Sequence, residues 1–128
     1  MASFFTYPEL QERIGRRLGI IADTESLSAE DGDLIGHGLS FVESWLDTMG
    51  IYSLAVADGV NEPFATPVIM AAAAHMVDEF QIPEPRRSQL KAEGLLGLPA
   101  RSLAERMLRN AAEAPTTKLQ VAVDFSVP

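Results

Sequence analysis

Residues 67–80 read PVIMAAAAHMVDEF, and the fold turns on them. The stretch is apolar on nearly every side until His75, and it carries no carboxylate before Asp78. A helix without a polar face has to be surrounded by other elements. The run Ala71 to Ala74 makes this one thin. Thr66 is a capping residue, and Pro67 suits the first helical position, where a missing N–H has no intrahelical partner to lose. The spacing therefore predicts a central helix from Pro67 to Phe80.

Amphipathic helices flank it on both sides. Thr6 and Glu9 have capping-box spacing, and Phe5 with Leu10 forms the matching hydrophobic staple. Leu10, Ile14, Leu18 and Ile21 then trace an apolar stripe, and Gly19 is a stop signal. Ser28 caps a second helix, with Glu30 and Asp31 in its first turn where the dipole favours them. Its broad apolar face includes Leu34, Ile35, Leu39, Val42 and Leu46, with Phe41, Trp45 and Met49 expected in the core, and Gly50 ends it. Gly32, Gly36 and Ser40 fall four apart on one side of this helix. Glycine there costs about 1 kcal/mol against alanine, so another backbone is expected to pack closely on that row. Tyr52 to Ala57 has the look of a short extended piece, with a turn at Asp58-Gly59.

Downstream, Pro83 and Pro85 introduce a fourth helix that ends near Gly94 or Gly97. Pro99 opens a fifth, with Leu103, Met107, Leu108 and Ala111 apolar. Arg101, Glu105 and Arg109 alternate in sign along it, as on a solvated face. Phe4 and Phe5 are expected as a core contact and a staple. The fold class is mostly α: a small bundle of four to five helices.

Beyond Pro115 the period changes. Leu119, Val121, Val123, Phe125 and Val127 alternate with Gln120, Ala122, Asp124 and Ser126, the two-residue repeat of a strand. The chain thus divides into a helical domain over 1–114 and an extended C-terminal arm over 115–128. The backbone groups of a lone strand need partners. Within the chain the only candidate mate is Tyr52 to Ala57. The other solution is strand addition to a second polypeptide, and a third is a tail that lies on its own domain or frays.

Composition bounds the rest. A length of 128 residues suits one compact domain, because two would each be too small to bury a core. Apolar residues make up 47% of the chain and mean hydropathy is +0.08, so a core is affordable and wholesale disorder is excluded. The absence of cysteine excludes a disulfide framework, Cys-based zinc sites and a thiol nucleophile. No apolar run reaches the roughly 18 residues a membrane span requires. Met1 to Tyr7 lacks the regions of a signal peptide, so a soluble intracellular protein with no membrane partner is expected. Net charge is −8, but it is unevenly spread. Between Leu18 and Pro85 there are twelve Asp and Glu residues and no Lys or Arg. That is not the footprint of a protein that grips nucleic acid. It suits a surface that lies near a polyanion without sticking.

Candidate chemistry is sparse. Arg13, Arg16 and Arg17 share a helical face and could touch DNA or an acidic neighbour, but Glu9 and Glu12 are spaced to pair with Arg13 and Arg16. Arg86 and Arg87 could meet an adjacent subunit or solvent. Asp33 and His37 are too few for a metal site. Sequence patterns for a nucleophile elbow, a P-loop or a zinc protease are missing, so no catalytic, metal or cofactor residues are assigned and no enzyme activity is expected.

Residues 8–50, PELQERIGRRLGIIADTESLSAEDGDLIGHGLSFVESWLDTMG, resemble the opening of tailed-bacteriophage head-to-tail adaptor proteins, also called head-completion or connector proteins. The likeness rests on the Leu18-Gly19 step, the acidic loop, the Ser28 to Asp31 cap and the late Trp45. A second block, AAAAHMVDEFQIP from Ala71 to Pro83, is similar to the family's alanine-rich helix with its acid-aromatic step, Glu79-Phe80. The chain departs from the family at Gly38-Leu39, Asp78 and Gln81, which leaves podovirus-like and siphovirus-like branches open.

The resemblance implies a homo-oligomeric ring, a dodecamer, in the virion neck below the portal protein. Such a ring extends the DNA channel and presents a surface to a tail, stopper or nozzle protein. Packaged DNA passes through without sequence-specific binding. On this expectation Leu119, Val121, Val123, Phe125 and Val127 dock on the portal or a neighbouring subunit. Arg86, Arg87, Gly32 and Gly36 make inter-subunit contacts, and Glu30, Asp31 and Asp33 line the channel. The alternative is a small helical interaction or regulatory module whose tail folds on a partner.

Overall fold

The structure is a computed structural model and describes residues 4–22 and 24–113. The arm residues Leu119, Val121, Val123, Phe125 and Val127, and the division between 114 and 115, lie outside the described residues. The chain is mostly α, with five helices and one two-stranded ladder among the described residues. In order they are β1 (Phe4–Phe5), α1 (Tyr7–Leu18), α2 (Ala29–Thr48), β2 (Val60–Asn61), α3 (Glu62–Met76), α4 (Arg86–Gly94) and α5 (residues 103–113).

Local chemistry sets the first two helices as the sequence predicts. The Thr6 side chain accepts from the Glu9 N–H, and the Glu9 carboxylate accepts from the Thr6 N–H at 2.9 Å. That reciprocal bond, then the Thr6 hydroxyl, hold the Glu9 carboxyl below the usual carboxylate range. Gly19 closes α1 in the left-handed region at φ 81°. The Ser28 hydroxyl accepts from the Asp31 N–H at 3.1 Å to start α2.

The central helix is where predicted, but its start is not. α3 begins at Glu62 with Asn61 as its cap, and Pro63 sits in its first turn. Thr66 and Pro67 are inside the helix. Pro67 withholds the N–H that the Pro63 carbonyl would accept, and its complete burial offsets that loss. The helix ends at Met76 instead of Phe80, and turns carry the chain on to Gln81 at φ 51°. α3 packs against α1, α2 and α4.

Ala71 to Ala74 are all fully buried, and two glycines exploit their smallness. A Cβ on Gly38 of α2 would stand 2.8 Å from Met76 Cγ and 3.3 Å from the Ala72 carbonyl oxygen. A Cβ on Gly94 would fall onto the Met70 carbonyl oxygen. Both helices therefore cross α3 closer than any side chain permits.

The segment Tyr52 to Ala57 is not a strand. A single 3-10 turn covers Val56–Asp58, with the Val56 N–H donating to Glu43 Oε1 at 2.8 Å. The strand that forms is β2, paired antiparallel with β1, Phe4 opposite Asn61 and Phe5 opposite Val60. The Phe4 ring lies where a side chain on Gly59 would stand, so that turn requires glycine.

α4 runs from Arg86 to Gly94, as the flanking prolines predict. The Glu84 carboxylate accepts from the Ser88 hydroxyl at 2.7 Å and the Ser88 N–H at 2.9 Å, which lowers its pKa. α5 starts at 103 rather than at Pro99, because the Ser102 hydroxyl accepts from the Glu105 N–H and caps it there. Its buried line is Ala104, Leu108 and Ala111, while Leu103 points outward at 44% exposure.

Gly94→Ala should destabilise the protein by about 1–3 kcal/mol through overpacking against α3. Gly32→Ala places its methyl at an ordinary 3.5 Å from Gln11 Nε2 and should stabilise by up to about 1 kcal/mol. Thermal denaturation of the two variants checks both signs.

Candidate functional site

The residues singled out from the sequence fall on three separate surfaces. Glu30 and Asp33 are exposed and Asp31 is half-buried, all in the first two turns of α2. No cation lies within ion-pair distance of these three among the described residues. His37 is exposed one turn further on. No three His, Asp or Glu side chains are grouped to hold a metal ion among the described residues.

The glycine row on α2 is filled from within the chain, not by another backbone. Gly36 is buried, and a Cβ there would stand 2.6 Å from the Tyr7 hydroxyl of α1. The Gly32 carbonyl accepts from Gln11 Nε2 at 2.8 Å. Within the chain, α1 thus covers Gly36 with a tyrosine and reaches the half-buried Gly32 with a glutamine.

Arg86 and Arg87 also find partners inside the chain. The Arg86 guanidinium donates to the Arg17 carbonyl at the end of α1, with Nε at 2.9 Å. Arg87 and Lys91 both pair with Asp78, the latter at 3.6 Å. These contacts tie α4 to α1 and to the turn after α3.

The most organised polar site was not legible as such. Glu105 was expected on a solvated face, yet it is 3% exposed. Its carboxylate accepts from the Gly97 N–H at 3.0 Å and from Arg109 Nε at 3.0 Å, and Arg101 Nε lies 3.5 Å away. It holds down the loop at 95–102 between α4 and α5. On the other side of that loop the Leu96 N–H donates to His75 Nε2 at 3.1 Å. An accepting Nε2 carries no proton, so neutral His75 has its proton on Nδ1. Burial holds the His75 pKa below its ordinary value.

Beside His75 lies a groove of about 270 Å³ lined by Leu34, His37, Phe41, His75, Met76 and Glu79. The Phe41 and His75 rings are 4.5 Å apart. Phe41 and Met49, expected in the core, are 44% and 52% exposed. Both stand on the row beside the buried Leu39, Val42 and Leu46, and only Trp45 of that row is half-buried against the core. Tyr52 stacks on Phe64 at 4.3 Å and stays partly exposed.

The chain matches no family model, no curated protein and no solved structure. No helix among the described residues is long and apolar enough to cross a membrane.

Glu105→Ala leaves two arginines and the Gly97 N–H without their carboxylate. Because both arginines remain in reach of solvent, it should cost about 1–3 kcal/mol, the scale of lost hydrogen bonds to a buried charged group, and Glu105→Gln should cost less. Urea denaturation measures both. His75 adds a pH dependence. With its folded pKa depressed, the unfolded state takes up the proton first, so stability is full above about pH 6.5 and is lost as pH falls through the folded value. The wild-type loss of stability between pH 7.5 and 5.5 should exceed that of His75→Gln.

Proposed function

We propose that the chain is a structural adaptor, the head-to-tail connector of a tailed phage or phage-like particle. In this reading it forms a ring below the portal protein, extends the DNA channel and offers a surface for tail attachment. No reaction is catalysed. The likeness of residues 8–50 and 71–83 to such adaptors supports it.

One observation carries the mechanical part. Tyr52 to Ala57, the candidate mate for the C-terminal alternation within the chain, forms no strand, and the β1–β2 ladder of the described residues is only two residues long. The alternating apolar residues Leu119, Val121, Val123, Phe125 and Val127 are then best used against another polypeptide. Strand addition supplies main-chain bonds for affinity, and the alternate side chains supply specificity. Ordering such a segment costs roughly 1–2 kcal/mol per backbone residue, so docking must return paired hydrogen bonds and apolar burial.

The exposed Glu30 and Asp33, without an ion-pair partner among the described residues, fit a wall that repels DNA phosphates and lets a genome slide. Exposed Phe41, Met49 and Leu103 supply apolar surface of the kind that assembly covers.

Electron microscopy of the full chain with its portal protein tests the reading. A ring seated on the portal is expected, and it should be lost when Val121, Val123 and Phe125 are changed together to Asp while the helical circular dichroism is retained. A one-to-one complex with a non-portal partner, with no ring, would instead favour a regulatory module.

A further inference from the structure

We propose that the groove between α1 and α3 is a binding site for phosphate groups. It encloses about 520 Å³ and is lined by Arg13, Arg16 and Arg17 of α1 with Thr66 and Ile69 of α3. Those three guanidiniums stand at i, i+3 and i+4. Like charges at that spacing repel by a few tenths of a kcal/mol per pair, which an anion between them would relieve.

The chain supplies only part of it. Arg16 meets Glu12 at 3.5 Å, and Arg17 pairs with Glu93 of α4. Arg13 has no carboxylate within ion-pair distance among the described residues, and its guanidinium lies over the Phe5 ring, 4.6 Å from the centroid. Arg86 adds a fourth cation where it donates to the Arg17 carbonyl. Among the described residues, the three lining guanidiniums thus have two carboxylates in ion-pair contact, Glu12 and Glu93, while Glu9 acts on Arg13 only at longer range. The Nε atoms of Arg16 and Arg17 are buried with no hydrogen-bond partner among the described residues, a state that native proteins seldom leave uncompensated.

Each guanidinium carries five donors in a planar fork that matches the oxygens of a phosphate. A phosphate dianion offers more acceptor oxygens and more charge than a carboxylate, so it can engage several forks at once. The Thr66 hydroxyl adds a neutral donor to the lining, and Ile69 offers apolar surface to whatever the phosphate is attached to. The volume accommodates more than a bare ion.

The net charge of −8 does not abolish the site. Screening limits exposed charges to about 8 Å at physiological ionic strength. The acidic start of α2 faces the opposite flank of α1, where Pro8, Gln11 and Glu12 line a different hollow with Ser28 and Asp33. This inference stands apart from the adaptor reading, and either can fail without the other.

Isothermal titration of the full chain with inorganic phosphate, pyrophosphate and a short DNA duplex tests it. Saturable binding of at least one is expected. Binding of the small anions alone identifies a free phosphate, and duplex binding that pyrophosphate competes away identifies a backbone phosphate. Arg13→Gln with Arg16→Gln should weaken binding at least about tenfold, the scale of a lost charge-assisted hydrogen bond. Arg13→Lys should restore only part of it, and Arg106→Gln, which removes an equal charge from exposed α5 surface, should change it less than twofold. If the double variant does not fold, Arg13→Gln alone gives the same readout, because Arg13 has no carboxylate within ion-pair distance among the described residues. Absence of saturable binding by all three probes would overturn the proposal, as would an equal loss in Arg106→Gln.

Discussion

The bundle depends on how closely α2 and α4 approach α3. Ordinary helix pairs stand 8–10 Å apart, at a distance set by their contact side chains. Here the contacts are alanines on one side and glycines on the other, Ala72 under Gly38 and Ala74 under Gly94. Over Ala71 to Ala74 the helix holds little apolar volume of its own. The core is therefore completed by large residues from its neighbours: Leu10, Ile14 and Leu18 of α1, and Ile35, Leu39 and Leu46 of α2, with Leu108 of α5 adding to it. Once those crossings are fixed, the positions of the surrounding grooves follow.

That dependence explains which features could be read from the sequence. Thr6 with Glu9, Ser28 and Gly19 are local signals whose chemistry is complete within four residues, and they hold in the structure. The structure caps α3 at Asn61 with Pro63 in its first turn, whereas the sequence reading places the start at Thr66 and Pro67. Local grammar fits both, and the β1–β2 ladder with the buried Phe64 decides for the first. Two-residue strands are too short to show any period, so β2 was invisible.

The candidate sites divide in the same way. A glycine row can be seen in a sequence, but what covers it cannot, and Tyr7 comes from a different helix. Alternating charges at Arg101, Glu105 and Arg109 look alike on a solvated face and around a buried carboxylate. The loop at 95–102 makes the difference, because its Gly97 N–H needs an acceptor. Phe41 and Met49 lie one row from the buried line of α2, closer than hydrophobic periodicity resolves. The three arginines of α1 were legible as a face, whereas Thr66, Ile69 and Glu93 around them depend on the packing of α3 and α4.

The proposed adaptor role requires that residues 119–127 pair with another polypeptide while the helical body folds without it. Hydrogen–deuterium exchange on the isolated full chain tests that division most directly. Strong protection of the α3 amides is expected, with exchange near the unprotected rate across residues 119–127 until the partner is added. Protection of 119–127 equal to that of α3 in the isolated monomer would contradict it.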